Sequence, residues 1–221
     1  HRVEGLINAI SEAVAETDEE LMEKYFSGEQ FTMLELIRGI HKGIFEGTIT
    51  PVFCGSATNL EGLSLLMGAM VSMLPSAAEV AKEEGVSGDD IVEVECDASA
   101  PTVAYVFKTI ADPFVGKLSM LRVCSGTLTS GTALYNSSCE KTEKAGGLFL
   151  LRGKNQLSVS QVSAGDIAAL SKLQFTNTGD TLCDAANPIR YEKISFPEPS
   201  VQKAVYAAKQ GEEDKVFSGL A

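Results

Sequence analysis

Asp112-Pro113-Phe114-Val115-Gly116-Lys117 leads into Arg122-Val123-Cys124-Ser125-Gly126-Thr127-Leu128-Thr129-Ser130-Gly131. Ala164-Gly165-Asp166-Ile167 and Thr178-Gly179-Asp180-Thr181-Leu182 follow. Each is turn chemistry set between β-type runs. Gly126, Gly131, Gly165 and Gly179 stand where a turn needs positive φ or close backbone approach, and Asp166 and Asp180 are placed to cap their turns through side-chain oxygens. From Pro101 the apolar period is two, with Val103, Tyr105 and Phe107 alternating with Ala104, Val106 and Lys108. Leu118–Val123, Ala133–Tyr135, Leu148–Leu151, Leu157–Val159, Ile167–Leu170 and Thr181–Cys183 read as further short strands. Close punctuation by Gly, Ser, Asn and Asp makes 101–193 a closed or sandwiched antiparallel β domain, a β-barrel in type.

Before this domain the period is helical. Val3, Leu6, Ile7, Ile10 and Val14 recur at helix spacing. Thr17 with Glu20 predicts a capping box for a helix carrying Leu21, Met22, Tyr25 and Phe26, with Gly28 ending it in the left-handed region. Thr32 with Glu35 predicts a second box, followed by an apolar stripe of Leu34, Ile37, Ile40 and Ile44 and a stop at Gly47. His41 beside this stripe reads as a satisfied or surface histidine, since no partner lies at metal-ligand spacing. Ile49–Cys54 is an apolar run of strand type. It passes through Gly55-Ser56-Ala57 into a helix carrying Leu63, Leu66, Met67, Met70, Val71 and Leu74, which Pro75 ends. Strand, small-residue loop and helix form the pattern of an α/β sheet. Residues 76–100 read as a linker with a short strand near Ile91–Val94. After Asn187-Pro188, Pro197 and Pro199 mark a boundary, with Ser200–Ala208 a candidate strand and Asp214–Ala221 a helix start. The expected layout is 1–75, linker 76–100, β-barrel 101–193, and 194–221 as the start of a truncated domain.

At 221 residues the chain is long enough to bury a core without staples. The five cysteines, at 54, 96, 124, 139 and 183, form no Cys-x-x-Cys pair, and only two histidines occur. That argues against a zinc site and for reduced thiols in a cytoplasmic protein. No apolar run reaches the roughly 20 residues that span a bilayer, so no membrane partner is expected. Asn136-Ser137-Ser138 is read as a chance glycosylation match. The net charge of −12 is uneven. Residues 1–100 hold five Lys/Arg against nineteen Asp/Glu, whereas 101–193 hold ten against seven. The first half repels nucleic acid, and the β segment can face phosphate.

The β segment with its four turn glycines resembles the second domain of translation elongation factor G, the GTPase that drives ribosomal translocation. Thr50-Pro51-Val52-Phe53-Cys54-Gly55-Ser56-Ala57, the helix after it and Leu74-Pro75-Ser76 resemble the end of that family's nucleotide domain, and the helices before them resemble its insert. Ile194-Ser195-Phe196-Pro197-Glu198-Pro199 resembles the entry into its third domain. The resemblance implies an α+β multi-domain fold, in which the helical and α/β tail of a P-loop GTPase domain precedes an antiparallel β-barrel of translation-factor domain II type. It also implies that Gly55, Ser56 and Ala57 form a guanine-binding loop, the Ala57 N–H meeting the base O6 where small residues permit close approach. The tripeptide by itself is equally a plain strand-to-helix turn. The resemblance further implies contact with small-subunit ribosomal RNA and packing on the chain's own GTPase domain. Lys117, Arg122, Lys141, Lys144, Arg152 and Lys154 are the candidate RNA-facing residues, each also readable as an ordinary solvated cation. No aromatic-rich stacking platform is visible, which argues against independent sequence-specific RNA binding.

The chain has no Gly-x-x-x-x-Gly-Lys-[Ser/Thr] phosphate loop, no Asp-x-x-Gly segment and no Asn-Lys-x-Asp motif. Phosphoryl transfer requires such groups to place and neutralise the phosphates. No catalytic or metal-binding residue is therefore expected here. GTP or GDP with Mg²⁺ would belong to the full-length parent and not to this segment. The opening His1 fits an excised interior piece. Two stretches depart from the family pattern. Residues 139–163 include Ala145-Gly146-Gly147, and Tyr206–Gln210 with Gly211–Lys215 look closer to a divergent elongation-factor-G-like branch. The alternatives are a ribosomal-protection or release-type translation GTPase, and a non-enzymatic β-barrel binding module.

Overall fold

The computed structural model describes residues 2–80, 82–112 and 116–220. The turn residues Pro113, Phe114 and Val115 lie outside the described residues, as do His1, Ala81 and Ala221. Residues divide into two units, His1–Tyr191 and Glu192–Ala221.

The first unit opens with helices α1 (Arg2–Ala15), α2 (Glu19–Phe26) and α3 (Met33–Glu46). The N-cap of α2 is Asp18 rather than the expected Thr17. Its extended backbone lets the carboxylate accept the Glu20 N–H at 3.1 Å. Thr17 instead turns inward, and its hydroxyl donates to the Val14 carbonyl at 2.7 Å. Gly28 has φ +78° beyond the end of α2, and Gly47 (φ +76°) caps α3, both as expected. The Thr32–Glu35 capping box is present in both directions.

The expected apolar stripe of α3 is only half used. Leu34 and Ile37 are exposed, and the buried residues of the helix are Gly39 and Gly43. A Cβ on Gly39 would stand 2.5 Å from Val14 Cγ1, and one on Gly43 would stand 2.5 Å from Ile49 Cδ1. Close approach through small residues fixes this seam, which the spacing of large apolar residues does not reveal.

Lys24 donates to both Glu35 oxygens at 2.8 and 3.0 Å, and the Thr32 N–H and hydroxyl donate to the same carboxylate at 2.7 and 2.8 Å. The Lys24 contact first, then the Thr32 donors, hold the Glu35 carboxyl at about 2 against an ordinary 4.5. A depressed folded pKa stabilises above the unfolded value, and the contribution is lost as pH falls from about 4.5 towards about 2. A carbon-detected NMR titration should place Glu35 near the bottom of that window. Helicity lost across the window should shrink in Glu35→Gln.

Ile49–Cys54 forms no strand. Val52 and Phe53 are exposed, and no described strand pairs with this run. A β-type sequence lacking a partner edge has nowhere to place its backbone hydrogen bonds. Helix α4 (Leu63–Met73) follows and ends before Pro75, as expected.

The stretch read as a linker with a short strand near Ile91–Val94 holds a hairpin, β1 (Glu83–Ser87) with β2 (Asp90–Val94), of which the second strand was expected. The remaining strands are β3 (Val103–Asp112), β4 (Gly116–Ser125), β5 (Thr127–Thr129), β6 (Ala133–Asn136), β7 (Lys141–Lys144), β8 (Leu148–Arg152), β9 (Asn155–Ser158), β10 (Gln161–Ser163), β11 (Ile167–Ser171) and β12 (Thr181–Cys183). Eight form one antiparallel sheet in the order β7-β6-β12-β3-β4-β11-β8-β9, while β5 and β10 pair separately. The ladder stays open, because β7 and β9 each have one sheet neighbour among the described residues. The domain is thus barrel-type without a closed ring of hydrogen bonds.

Alternation sorts the strands between two apolar clusters. Ala104, Val106, Leu121, Val123 and Leu182 point into the main core, where Leu128 of β5 and Val162 of β10 join them. Val103, Cys124 and Cys183 point to the other face, where Val94 of the hairpin, Tyr105 and Tyr191 cover them. That second cluster is why residues 83–94 are ordered rather than loose. Burial raises the Cys124 thiol to about 11, so it packs as a small hydrophobe.

In the second unit, Ser200–Ala208 pairs with no strand among the described residues, contrary to expectation, and again lacks a partner edge. Helix α5 spans Glu213–Leu220, close to where a helix start was read.

Candidate functional site

The Gly55-Ser56-Ala57 loop is folded back on itself. The Ser56 N–H donates to the Glu61 carbonyl at 3.0 Å, and the Asn59 N–H donates to Ser56 Oγ at 3.2 Å. The turn needs Leu60 at φ +59° and Gly62 at φ +78°. A Cβ on Gly55 would sit 2.7 Å from the Glu61 oxygen, so glycine is required by the close approach of two backbones. A pocket of about 250 Å³ opens here, lined by Phe53, Ser56, Ala57, Leu63 and Leu66 among others. The Ala57 N–H donates to nothing among the described residues. Gly62 gives α4 no side-chain cap. The site therefore offers a small apolar slot and a backbone donor. Among the described residues no His, Cys, Asp and Glu group of three or more is placed to hold a metal ion.

The six candidate cations separate. Arg122 is committed to an ion pair with Glu83 of β1 and reaches Cys124 Sγ at 3.8 Å. Lys144 lies on β7 and Arg152 on β8, with Lys154 in the turn to β9, near opposite ends of the strand order. These three are exposed and form no ion pair among the described residues. The other two converge on one loop. Lys117 Nζ donates to Asn177 Oδ1 at 3.4 Å, and Lys141 Nζ stands 4.0 Å from the Phe175 ring centroid.

Two buried carboxylates hold that loop from below. Glu143 of β7 accepts the Gln174 N–H, the Phe175 N–H at 3.0 Å and the Thr176 hydroxyl at 2.5 Å. Asp180 accepts the Asn177 N–H at 2.9 Å and Asn136 Nδ2 at 3.0 Å. Asn136 also donates to Thr176 Oγ1 at 3.1 Å, while its Oδ1 accepts the Ser138 and Cys139 N–H groups. The capping roles of Asp180 and of Asp166, which accepts the Ser163 N–H at 3.0 Å, were legible in the sequence. Those of Glu143 and Asn136 were not. The available signal was a lone acid at the inward position of a Lys-Thr-Glu-Lys strand. All four turn glycines have positive φ, from +76° at Gly126 to +92° at Gly165.

The strands from β3 to β12 thus form an antiparallel barrel-type β domain cornered by Gly-Asp turns. Residues 101–185 match the family described as elongation factor G domain 2, and the chain carries such a domain over those residues. The crystal structure of a protein from Thermus thermophilus is similar over 95% of this chain, with 27% sequence identity and a TM-score of 0.73. The chain spans 29% of that protein's length.

Proposed function

We propose that this chain is part of a ribosome-dependent translation GTPase of the elongation factor G type, acting in tRNA–mRNA translocation in the cytoplasm. The observation that carries this reading is the elongation factor G domain 2 at 101–185. The similarity over 95% of the chain to a protein more than three times as long supports a segment of a larger machine. In this reading residues 1–75 end the nucleotide domain, 101–193 form its second domain and 194–221 lead into a third. Exposed Val52, Leu60, Leu65, Met67 and Val71 favour the first of these assignments, since an apolar surface of this kind is normally covered by other protein. No helix among the described residues is long and apolar enough to cross a membrane.

Gly55, Ser56 and Ala57 would read guanine, the Ala57 N–H facing O6, where adenine would present a second donor. The base-facing loop is the part of a GTP site that this chain supplies. Triphosphate and Mg²⁺ would be held by residues of the longer protein, because the phosphate motifs are absent here. The β domain would dock on small-subunit ribosomal RNA through its cations and pass nucleotide state on as a rigid-body motion. The coding sequence around this segment tests the reading. A phosphate loop, an Asp-x-x-Gly segment and an Asn-Lys-x-Asp motif are expected upstream of codon 1. A start codon at position 1 with a stop after position 221 would instead leave a freestanding binding module.

A further inference from the structure

We infer that the Phe175 loop is a nucleotide platform: an unpaired base of the small-subunit RNA stacks on Phe175, and its phosphates lie between Lys117 and Lys141. This rests on the ribosomal reading above and assigns the contact to particular side chains. Phe175 is 43% exposed on a loop between β11 and β12, where an aromatic ring gains little from the core. Its ring carries the Lys141 ammonium at 4.0 Å, and two residues on, Asn177 receives Lys117 at 3.4 Å. The Asn177 side-chain amide also donates to the Phe175 carbonyl at 3.3 Å, so both cations rest on one three-residue stretch.

A ring with one cation over it and a second held two residues on is a combination that single-stranded nucleic acid uses. The ring face opposite Lys141 takes a base of any identity, and the ammoniums take the backbone. The loop is preorganised for this. Glu143 and Asp180 turn inward and fix the backbone of residues 174–177, which lowers the ordering cost of binding. Their charges are engaged by N–H and hydroxyl donors below the loop rather than presented at its surface. The segment containing the loop is also where the chain's charge turns positive, against a strongly acidic first half.

The test is binding of the 221-residue chain to purified small ribosomal subunits at low salt, measured by sedimentation. Phe175→Ala and Phe175→Leu should each weaken binding by roughly tenfold, while Phe175→Trp retains it, because a base stacks on an aromatic face and not on leucine. Lys117→Met and Lys141→Met should each lower the slope of log K against log salt by about 0.7. A fluorescein-labelled uridine octamer should show the same ranking of variants, and an RNA duplex of equal charge should not. If the wild-type chain binds subunits and the Phe175 variants bind equally well, the platform is wrong and the ribosomal reading stands. Leucine substituting fully for phenylalanine would likewise reduce Phe175 to a packing residue. No binding by the wild-type chain overturns both.

Discussion

Glu143→Ala should lower the stability of the β domain by about 3 kcal/mol. One buried carboxylate accepts from two backbone N–H groups and a hydroxyl, on Gln174, Phe175 and Thr176. Alanine leaves all three donors without that acceptor; the carboxylate is only 5% exposed and the Thr176 hydroxyl is buried, so water cannot replace it freely at the inner side of the loop. Each orphaned buried donor costs about 1–3 kcal/mol before relaxation. Glu143→Gln keeps one oxygen for the two N–H groups and can turn its amide to donate to the Thr176 hydroxyl, but it loses the charge, so it should fall between alanine and wild type. The chain has no tryptophan, so urea unfolding followed by circular dichroism is the suitable measurement. A midpoint unchanged in Glu143→Ala would mean that the loop is held by something else.

Gly126→Ala should cost about 3 kcal/mol, whereas Gly131→Ala should cost about 1 kcal/mol. Both glycines have similar positive φ (+76° and +79°), so the intrinsic penalty of an L side chain is common to the two. They differ in surroundings. A Cβ on Gly126 would lie 2.6 Å from Thr102 Cα and 2.7 Å from the Ala100 oxygen, both backbone atoms. A Cβ on Gly131 would meet nothing within 4 Å. Backbone cannot step aside as a flexible side chain does, so the Gly126 corner must open and break the entry to β5. The same urea experiment measures both variants, and equal losses would remove the argument from close approach.

The turn glycines made the β domain legible, because each marks a corner that other residues form poorly. Period-two alternation then placed β3, and short apolar runs bounded by turn residues placed β4, β6, β8, β11 and β12. What escaped was short or polar. β7 reads Lys-Thr-Glu-Lys, and its one inward residue is an acid satisfied by a loop more than thirty positions away. β5 and β10 have three residues each, too few for a period to register. Of the hairpin at 83–94 only the second strand was read, because its packing depends on Tyr105, Tyr191 and Cys124, which alternation alone does not tie to it.

In the helical part, apolar spacing and the Thr32–Glu35 box predicted the elements, but α2 is capped by Asp18 rather than Thr17, and the packing seam ran through Gly39 and Gly43 rather than through the large apolar stripe. Ile49–Cys54 and Ser200–Ala208 show the complementary limit. Strand-type sequence becomes strand only where a partner edge exists. Of the candidate site residues, the loop at Gly55 was visible as small residues before a helix, and the cations were visible only as cations. That Lys117 and Lys141 share the Phe175–Asn177 stretch, while Arg122 is taken by Glu83, is set by tertiary geometry that spacing does not encode.

GTP hydrolysis by the full-length gene product, measured with and without ribosomes, tests the central claim most directly. The account predicts slow hydrolysis by the protein alone and an acceleration on the order of 10³-fold when ribosomes supply the stabilising groups in trans. Hydrolysis that ignores ribosomes, or no guanine-nucleotide hydrolysis at all, would contradict it.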